Sequence, residues 1–243
     1  MRPWLAVALS LLLPACAADA QAPGAIAPLG PPGRPEGAFP PPSRPVAPIV
    51  SDRWRAEDER ERAGEAARVI QWLGIQPGMV VADIGAGSGY YTTRLAAVVG
   101  PQGQVLAQDV VPDYLARLRQ RVAQAGLVNV RIGLGDPGDP RLPPRSTDAV
   151  VMVHIYHEIQ QPYALLANLI PALRPGARVG IVDVDDDIQR HGTPRAQLAC
   201  ELAAVGYRQV SFEWLLVQPP RSEYLAVFEA PASPPAVVKP CGG

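Results

Sequence analysis

The chain carries almost no excess charge of either sign. Its 243 residues include 22 Lys and Arg against 23 Asp and Glu, which gives a net charge of −1. Proteins that bind nucleic acids normally show a basic patch, often with aromatic residues between the cations, and only 6% of this sequence is aromatic. DNA and RNA are therefore disfavoured as partners.

The chain also lacks an apolar run long enough to cross a membrane. A helix needs about 20 apolar residues to span the bilayer, whereas the run near the start extends only from Trp4 to Leu13. With Arg2 before it and small residues after it, this run is typical of a secretion signal. We therefore predict a signal peptide over residues 1–20.

Cysteine is scarce, with three residues in the whole sequence. The segment Leu13-Pro14-Ala15-Cys16 resembles the lipobox of bacterial lipoproteins, which implies a lipidated Cys16, a membrane anchor and a location facing the periplasm. Cleavage after Ala20 gives soluble export as the alternative, and a later start codon would make the protein cytoplasmic. Cys200 and Cys241 then remain, and a disulfide between them is one option.

Proline marks the regions outside the predicted domain. Residues 21–50 are rich in proline and small side chains, which is typical of a disordered tether, and residues 231–243 form a similar tail. Residues 51–230 are enough for one α/β domain with a substantial core. Within it, apolar residues at helical spacing predict one helix from Glu57 to Leu73.

A buried strand followed by a glycine-rich turn is the most informative pattern. Residues 79–84 are apolar apart from Asp83, as in a strand covered on both faces. The glycines that follow occupy every second position: Gly85, Gly87 and Gly89. Because they lack a Cβ atom, a ligand can lie directly on the backbone. A dinucleotide-binding turn would need its third glycine at position 90, where Tyr90 stands.

The spacing Asp83-x-Gly85-x-Gly87-x-Gly89 resembles the first motif of class I S-adenosylmethionine-dependent methyltransferases. The family's later motifs follow in order between roughly Arg53 and Glu229: Asp109 ending a second strand, Asp136 after a third strand (128–132), and His154 to Glu158 after a fourth. The resemblance implies an α/β, Rossmann-like fold. Its seven-stranded sheet is mostly parallel with an antiparallel last strand, and helices cover both faces.

The resemblance also implies S-adenosylmethionine as cofactor. The cofactor-binding residues that it implies are Asp83, Gly85, Ala86, Gly87, Gly89, Asp109, Val110, Asp136 and His154. In the family, the acid at the position of Asp83 helps to hold the methionine amino group, and the acid at Asp109 accepts hydrogen bonds from the ribose hydroxyls. Asp136 would lie near the adenine amino group, although Gly-Asp-Pro-Gly is also an ordinary turn sequence.

The segment after the fourth predicted strand supplies candidates for the acceptor site. His157 is the candidate general base, and Tyr156, His157 and Trp54 are candidate substrate contacts. The alternative is that these residues only shape the pocket, because many methyltransferases rely on proximity alone. We predict no metal, because the histidines of this segment lack a further ligand at metal spacing and the acids from Asp183 to Asp187 are typical of a solvated loop.

Three hypotheses for function follow. The first is a methyltransferase acting on a small-molecule acceptor. The second is an exported protein that keeps the fold and binds a ligand without turnover, because S-adenosylmethionine is made in the cytosol. The third, a dinucleotide-dependent oxidoreductase, is disfavoured by Tyr90. The sequence leaves the oligomeric state and the identity of the acceptor open.

Overall fold

A computed structural model describes residues 26–51 and 56–242. Seven strands form one sheet in the order β3-β2-β1-β4-β5-β7-β6. The strands are β1 (Val80–Ile84), β2 (Gln104–Asp109), β3 (Val130–Leu134), β4 (Thr147–Val153), β5 (Leu173–Val184), β6 (Arg208–Leu216) and β7 (Glu223–Glu229). The first five strands pair in parallel, and β7 runs antiparallel to both of its neighbours. The predicted seven-stranded sheet with an antiparallel last strand is confirmed.

Six α-helices accompany the sheet among the described residues. They are α1 (Glu57–Arg62), α2 (Glu65–Leu73), α3 (Tyr90–Val99), α4 (Pro112–Gln124), α5 (Pro162–Leu169) and α6 (Arg195–Ala204). Side chains of α2, α3 and α4 pack with Val81 on one face of the sheet, while α5 and α6 pack with Ala82 on the other. No helix in the described ranges is both long and apolar enough to cross a membrane.

A helix and a strand show how the element boundaries differ from the sequence prediction. The helix predicted from Glu57 to Leu73 is two helices, because Gly64 adopts a left-handed conformation (φ 64°) that ends α1 and begins α2. The third strand begins at Val130, two residues later than predicted. Val128 before it is 93% exposed, so this apolar side chain contributes nothing to the core.

The segment predicted as a disordered tether is ordered where the structure describes it, and the prediction is wrong for those residues. Residues 26–51, here called the strap, lie against the domain. Phe39 is buried in the same apolar cluster as the side chains of α5, and the backbone N–H of Ala47 donates to the carbonyl of His157 at 3.0 Å. Proline limits the freedom of the unfolded strap, so ordering it costs less entropy than ordering an average segment.

The predicted disordered tail is also wrong for residues 231–242. Cys241 forms a disulfide with Cys200 on α6, closing a sequence separation of 41 residues. The backbone N–H of Cys241 donates to the Tyr163 hydroxyl at 2.8 Å, and its carbonyl accepts from Ser43 of the strap. The tail, the strap and the α5–α6 face therefore meet at one buried point. The proline-rich composition of the two segments gives no indication of this contact.

Candidate functional site

A cavity of ≈ 340 Å³ lies at the carboxyl ends of the parallel strands. Its walls come from the glycine turn after β1, the end of β2, and the loops after β4 and β5. Strap residues 49–51 complete the wall on another side. Ligands of open α/β sheets bind at this edge, so the cavity occupies the position that the fold provides for a ligand.

The glycine turn forms part of the cavity wall, but its three glycines serve two different purposes. Gly85 (φ 71°) and Gly87 (φ 54°) both line the cavity. A Cβ on Gly85 would lie 2.9 Å from side-chain atoms of Ile155, so this position has no room for any larger residue. Gly89 (φ 92°) is outside the cavity lining, and a Cβ there would collide with Leu118 of α4. Gly89 thus has a packing role, and its cofactor contact stays a prediction.

Asp83 ends β1 inside the cavity wall and is fully surrounded by protein. Its Oδ2 accepts a hydrogen bond of 2.6 Å from the Thr92 hydroxyl of α3. Burial raises the pKa of Asp83 to about 6, and the hydrogen bond from Thr92 opposes this increase without cancelling it. A cation entering the cavity would relieve the cost of ionising this carboxyl.

Asp109 ends β2 and fastens the glycine turn to the neighbouring strand. Its Oδ2 accepts from the backbone N–H of Gly87 at 2.9 Å, and its Oδ1 accepts from the N–H of Val111 at 2.9 Å. Asp109 and Val110 both line the cavity, together with Ala86. A carboxylate has about four lone-pair sites, so backbone N–H groups and ligand hydroxyls can share it. The ribose contact of Asp109 stays a prediction that this geometry allows.

His154 lines the cavity beside a buried cluster of charged groups that sequence analysis missed. The Nε2 atom of His154 lies 3.9 Å from Glu65 Oε2. Glu65 also accepts from Arg60 at 2.5 Å and from the Tyr91 hydroxyl at 2.9 Å. Burial alone would raise the pKa of Glu65, but the nearby His154 and the hydrogen bonds from Arg60 outweigh it and hold the pKa well below its usual range. This network joins α1, α2 and α3 to the loop after β4.

Arg60 of this network also reaches the cavity. It lines the wall, and its guanidinium carbon lies 3.9 Å from the centre of the Tyr90 ring, which also lines the cavity. Tyr90 is the residue that excludes a dinucleotide-binding turn, and here it supplies an aromatic face beside a cation. The sequence signal for Arg60 is weak, because Glu57–Arg62 is charged at every position.

Four residues that the sequence singles out are not among the described residues of the cavity wall. Tyr156 is fully buried and its hydroxyl donates to Glu201 at 2.8 Å, so the structure contradicts its prediction as a substrate contact. Asp136 is also outside the cavity lining, because its carboxylate accepts from Arg141 at 2.8 Å, as an ordinary turn residue would. Trp54 and Cys16 lie outside the described residues.

His157 is buried just behind the cavity wall. Its Nδ1 atom lies 3.0 Å from both carboxylate oxygens of Asp183, and its Nε2 atom lies 4.0 Å from Glu158 Oε1. Glu158 and His191 line the cavity on the side of the β4 and β5 loops. Burial raises the pKa of Glu158 to about 7. His157 is therefore close to the predicted acceptor end, although the acid that orients it was not predicted.

This sheet order, with an antiparallel β7 and a glycine turn between two acids, defines the class I methyltransferase fold. Residues 81–176 match the family model described as "Methyltransferase domain". A solved S-adenosylmethionine-dependent methyltransferase from Aquifex aeolicus shares the fold with a TM-score of 0.60 at 21% identity, covering 71% of this chain and 98% of that one. The cyclase SpnF also shares the fold, with a TM-score of 0.62 at 14% identity and coverage of 82% and 91%.

Curated relatives match over part of their length. An arsenite methyltransferase of Halobacterium salinarum is 31% identical over 119 residues, which are 46% of this chain and 30% of the relative. A protein-L-isoaspartate O-methyltransferase of Aeropyrum pernix is 33% identical over 132 residues, covering 52% and 46%. The chain thus spans less than half the length of these relatives. Together with the shared fold, the match over residues 81–176 supports a class I S-adenosylmethionine-dependent methyltransferase.

Proposed function

We propose that the protein transfers a methyl group from S-adenosylmethionine to a small-molecule acceptor. The observation that carries the proposal is one cavity lined both by the glycine turn, Asp83 and Asp109, here called the cofactor end, and by Glu158 and His191, here called the acceptor end. The first end has the groups that the family uses for its cofactor. The second end is formed by the loops after β4 and β5, where an acceptor would face the cofactor's methyl group.

The residues of the cofactor end fit S-adenosylmethionine chemically. Gly85 lines the cavity, and Ile155 occupies the space that a side chain at this position would need. Asp83 offers a buried carboxyl for the amino group, and Asp109 offers acceptors for hydroxyls. Apolar residues such as Val110 and Leu165 line other parts of the same cavity. The cavity thus combines polar groups at defined points with apolar surface, as cofactor sites do.

Methyl transfer requires mainly alignment, because the bound cofactor supplies an activated methyl group. The protein's contribution is then to position the acceptor in line with that group and to exclude water. Strap residues Ile49 and Val50 cover part of the cavity and serve the second purpose. His157 remains the candidate base: Asp183 accepts its Nδ1–H bond and orients the ring, and Nε2 of the neutral imidazole is the atom that would take an acceptor proton.

The acceptor that we propose is small and is not arsenite. The cavity of ≈ 340 Å³ lies near the lower end of the usual range for ligand pockets, so a cofactor leaves little enclosed space for an acceptor. The name of one relative refers to arsenite, and chemistry of that type needs several free thiols. Cys200 and Cys241 are joined in a disulfide and offer none.

Calorimetry with S-adenosylmethionine tests the cofactor site directly. We expect one binding site per chain and an affinity that weakens about tenfold between pH 7 and pH 5, because Asp83 has a pKa of about 6 and only its ionised form attracts the cofactor's amino group. The Asp83→Asn protein should bind the cofactor weakly at every pH. Loss of the pH dependence in this variant would assign it to Asp83 rather than to Glu158. Folded protein that fails to bind the cofactor at pH 7 would refute the proposed function.

A metabolite screen with methyl-labelled cofactor then tests the small-molecule acceptor. Label in a small product supports the proposal, whereas label confined to protein or nucleic acid contradicts it. If the cofactor binds but no label moves from it to any acceptor, the protein is the ligand-binding relative that forms the second hypothesis. The fold alone does not separate the two, since the cyclase SpnF shares it.

We also propose that the protein works outside the cytosol, attached to a membrane through Cys16. The Cys200–Cys241 disulfide supports this location, because structural disulfides persist in oxidising compartments. Labelling cells with a fatty-acid probe should mark the wild type and not Cys16→Ser. Equal labelling of both proteins would exclude Cys16 as the lipidation site and favour soluble export.

A further inference from the structure

Three potential metal ligands converge where the loops after β4 and β5 meet. His157 and Glu158 lie on a 3₁₀ turn (Tyr156–Glu158) after β4, and His191 follows a second 3₁₀ turn (Ile188–Arg190) after β5. One ligand atom from each of the three side chains lies within 4.8 Å of the other two. The two imidazole rings meet edge to face, with their centres 5.5 Å apart and their planes at 85°.

His157 is held in the orientation and the tautomer that a metal ligand needs. Its Nδ1 atom lies 3.0 Å from both oxygens of Asp183. Asp183 is fully buried and also accepts hydrogen bonds from the Thr193 hydroxyl at 2.6 Å and from the Val184 N–H at 2.9 Å. A carboxylate only accepts, so His157 carries a proton on Nδ1, and in the neutral ring Nε2 is the nitrogen that can bind an ion. Metal-binding histidines are typically supported by a carboxylate in this way.

The other two ligands lie at the cavity surface and have room to adjust. Nitrogen and oxygen ligands of a tetrahedral ion lie about 3.3 Å from one another, given metal–ligand distances of about 2.0–2.2 Å. His157 Nε2 and Glu158 Oε1 are 4.0 Å apart, so small rotations of Glu158 and His191 close the site. His191 has a left-handed backbone (φ 55°), an uncommon conformation for a residue other than glycine, and such conformations concentrate at functional sites.

We propose that His157, Glu158 and His191 bind a divalent transition metal ion, of which Zn²⁺ is the best match. Two imidazole nitrogens and one carboxylate oxygen form the ligand set of many catalytic zinc sites, in which a fourth position stays open. The open position faces the cavity that Glu158 and His191 line. The sequence prediction of no metal overlooked His191, which is distant in the chain from the other two ligands and joins them through the adjacent ends of β4 and β5.

A second cluster, Glu65, His154 and Glu223, has similar spacing but different surroundings. Arg60 already donates to Glu65 there, so a guanidinium occupies the place of the cation. All three side chains are also buried, whereas Glu158 and His191 are partly exposed. The cluster at His157 is therefore the one that an ion can enter from the cavity.

This inference deepens the proposed function and rests on it for its chemical role. An ion bound here would take a hydroxyl or thiol of the acceptor as its fourth ligand and lower the pKa of that group, so that its proton is lost to solvent. The acceptor oxygen or sulfur then forms a bond to the methyl carbon while the carbon–sulfonium bond breaks and its electron pair stays on sulfur. In this arrangement Nε2 of His157 binds the ion and does not act as the base.

Zn²⁺ binding to the full-length protein without a polyhistidine tag tests the site. Competition with a chromophoric chelator should show one tightly bound ion per chain, and Co²⁺ should give the visible absorption bands of a low-symmetry site. Asp183→Asn should weaken Zn²⁺ binding about 10- to 100-fold through the orientation of His157, and His191→Ala should weaken it further because a ligand is lost. Glu59→Gln, an exposed acid on α1, should bind as the wild type does.

Two results would overturn the metal site: wild-type protein that does not bind Zn²⁺ or Co²⁺, and His191→Ala protein that binds as tightly as Glu59→Gln. Because these measurements need neither cofactor nor turnover, they are independent of the proposed function. Protein that binds Zn²⁺ through His191 but fails to bind S-adenosylmethionine would retain the metal site and lose the methyltransferase role. Turnover that survives removal of the ion would return His157 to the role of base and refute the metal's part in the reaction.

Discussion

Asp83→Asn should weaken S-adenosylmethionine binding by about 30-fold or more while leaving the fold intact. Leaving one charge of a buried, hydrogen-bonded ion pair without its partner costs about 2 to 5 kcal/mol, and each 1.4 kcal/mol is a factor of ten in affinity. Asparagine has the shape of aspartate and can still accept the hydrogen bond from Thr92. The substitution therefore removes the charge that attracts the amino group and little else.

Two controls make this expectation specific. Asp113→Asn alters an exposed acid in the first turn of α4, outside the cavity lining, and should bind the cofactor as tightly as the wild type does. S-adenosylhomocysteine keeps the amino group but lacks the methyl and the sulfonium charge, so its affinity should fall by the same factor in Asp83→Asn. If the two variants at positions 83 and 113 bind alike, Asp83 does not hold the amino group.

The cofactor end of the site could be predicted from the sequence because its determinants are local. The glycine turn follows directly from a strand that is buried on both faces, and such a strand is visible as an unbroken apolar run. Asp109 was found because an acid at the end of the next parallel strand must lie beside the turn. The pairing of the two strands then fixes the distance between the glycine turn and Asp109. No contact between distant segments has to be known to predict it.

The acceptor end could not be predicted in the same way. The sequence places Tyr156 and His157 side by side on one segment, but the 3₁₀ turn sends the Tyr156 ring into the core and leaves His157 near the cavity. The partner of His157 is Asp183, on another strand, and His191 comes from a third segment. These pairings depend on how loops cross the edge of the sheet, which periodicity in the sequence does not encode.

The sequence predicts a disordered tether in place of the ordered strap for a related reason. Its composition, rich in proline and small residues, is the signature of a disordered linker. What orders it is a small number of contacts with distant residues, among them the hydrogen bonds of Gly33 to Asp139 and of Arg34 to Asn168. Composition describes the average residue of a segment. A few buried residues and hydrogen bonds decide whether that segment packs against the domain.

Arg44→Ala should lower the free energy of unfolding by about 3–5 kcal/mol, because it removes one partner of a buried ion pair. The Nε atom of Arg44 lies 2.8 Å from Glu201 Oε1, and the two side chains are 4% and 0% exposed. Glu201 also accepts from Tyr156 and Gln197, at 2.8 and 2.9 Å. Without the guanidinium these neutral groups would remain, and the charge of Glu201 would be buried without a cation.

Urea unfolding of matched variants measures this effect. Arg208→Ala breaks an ion pair with Glu229 whose side chains are 71% and 40% exposed, so it should cost at most about 1 kcal/mol. Adding Glu201→Gln to Arg44→Ala should restore part of the stability, because the uncompensated charge is then gone. If Arg44→Ala and Arg208→Ala unfold at the same urea concentration, the strap is not held by this pair. Should the strap loosen as expected, Ile49 and Val50 leave the cavity wall, and cofactor affinity falls together with stability.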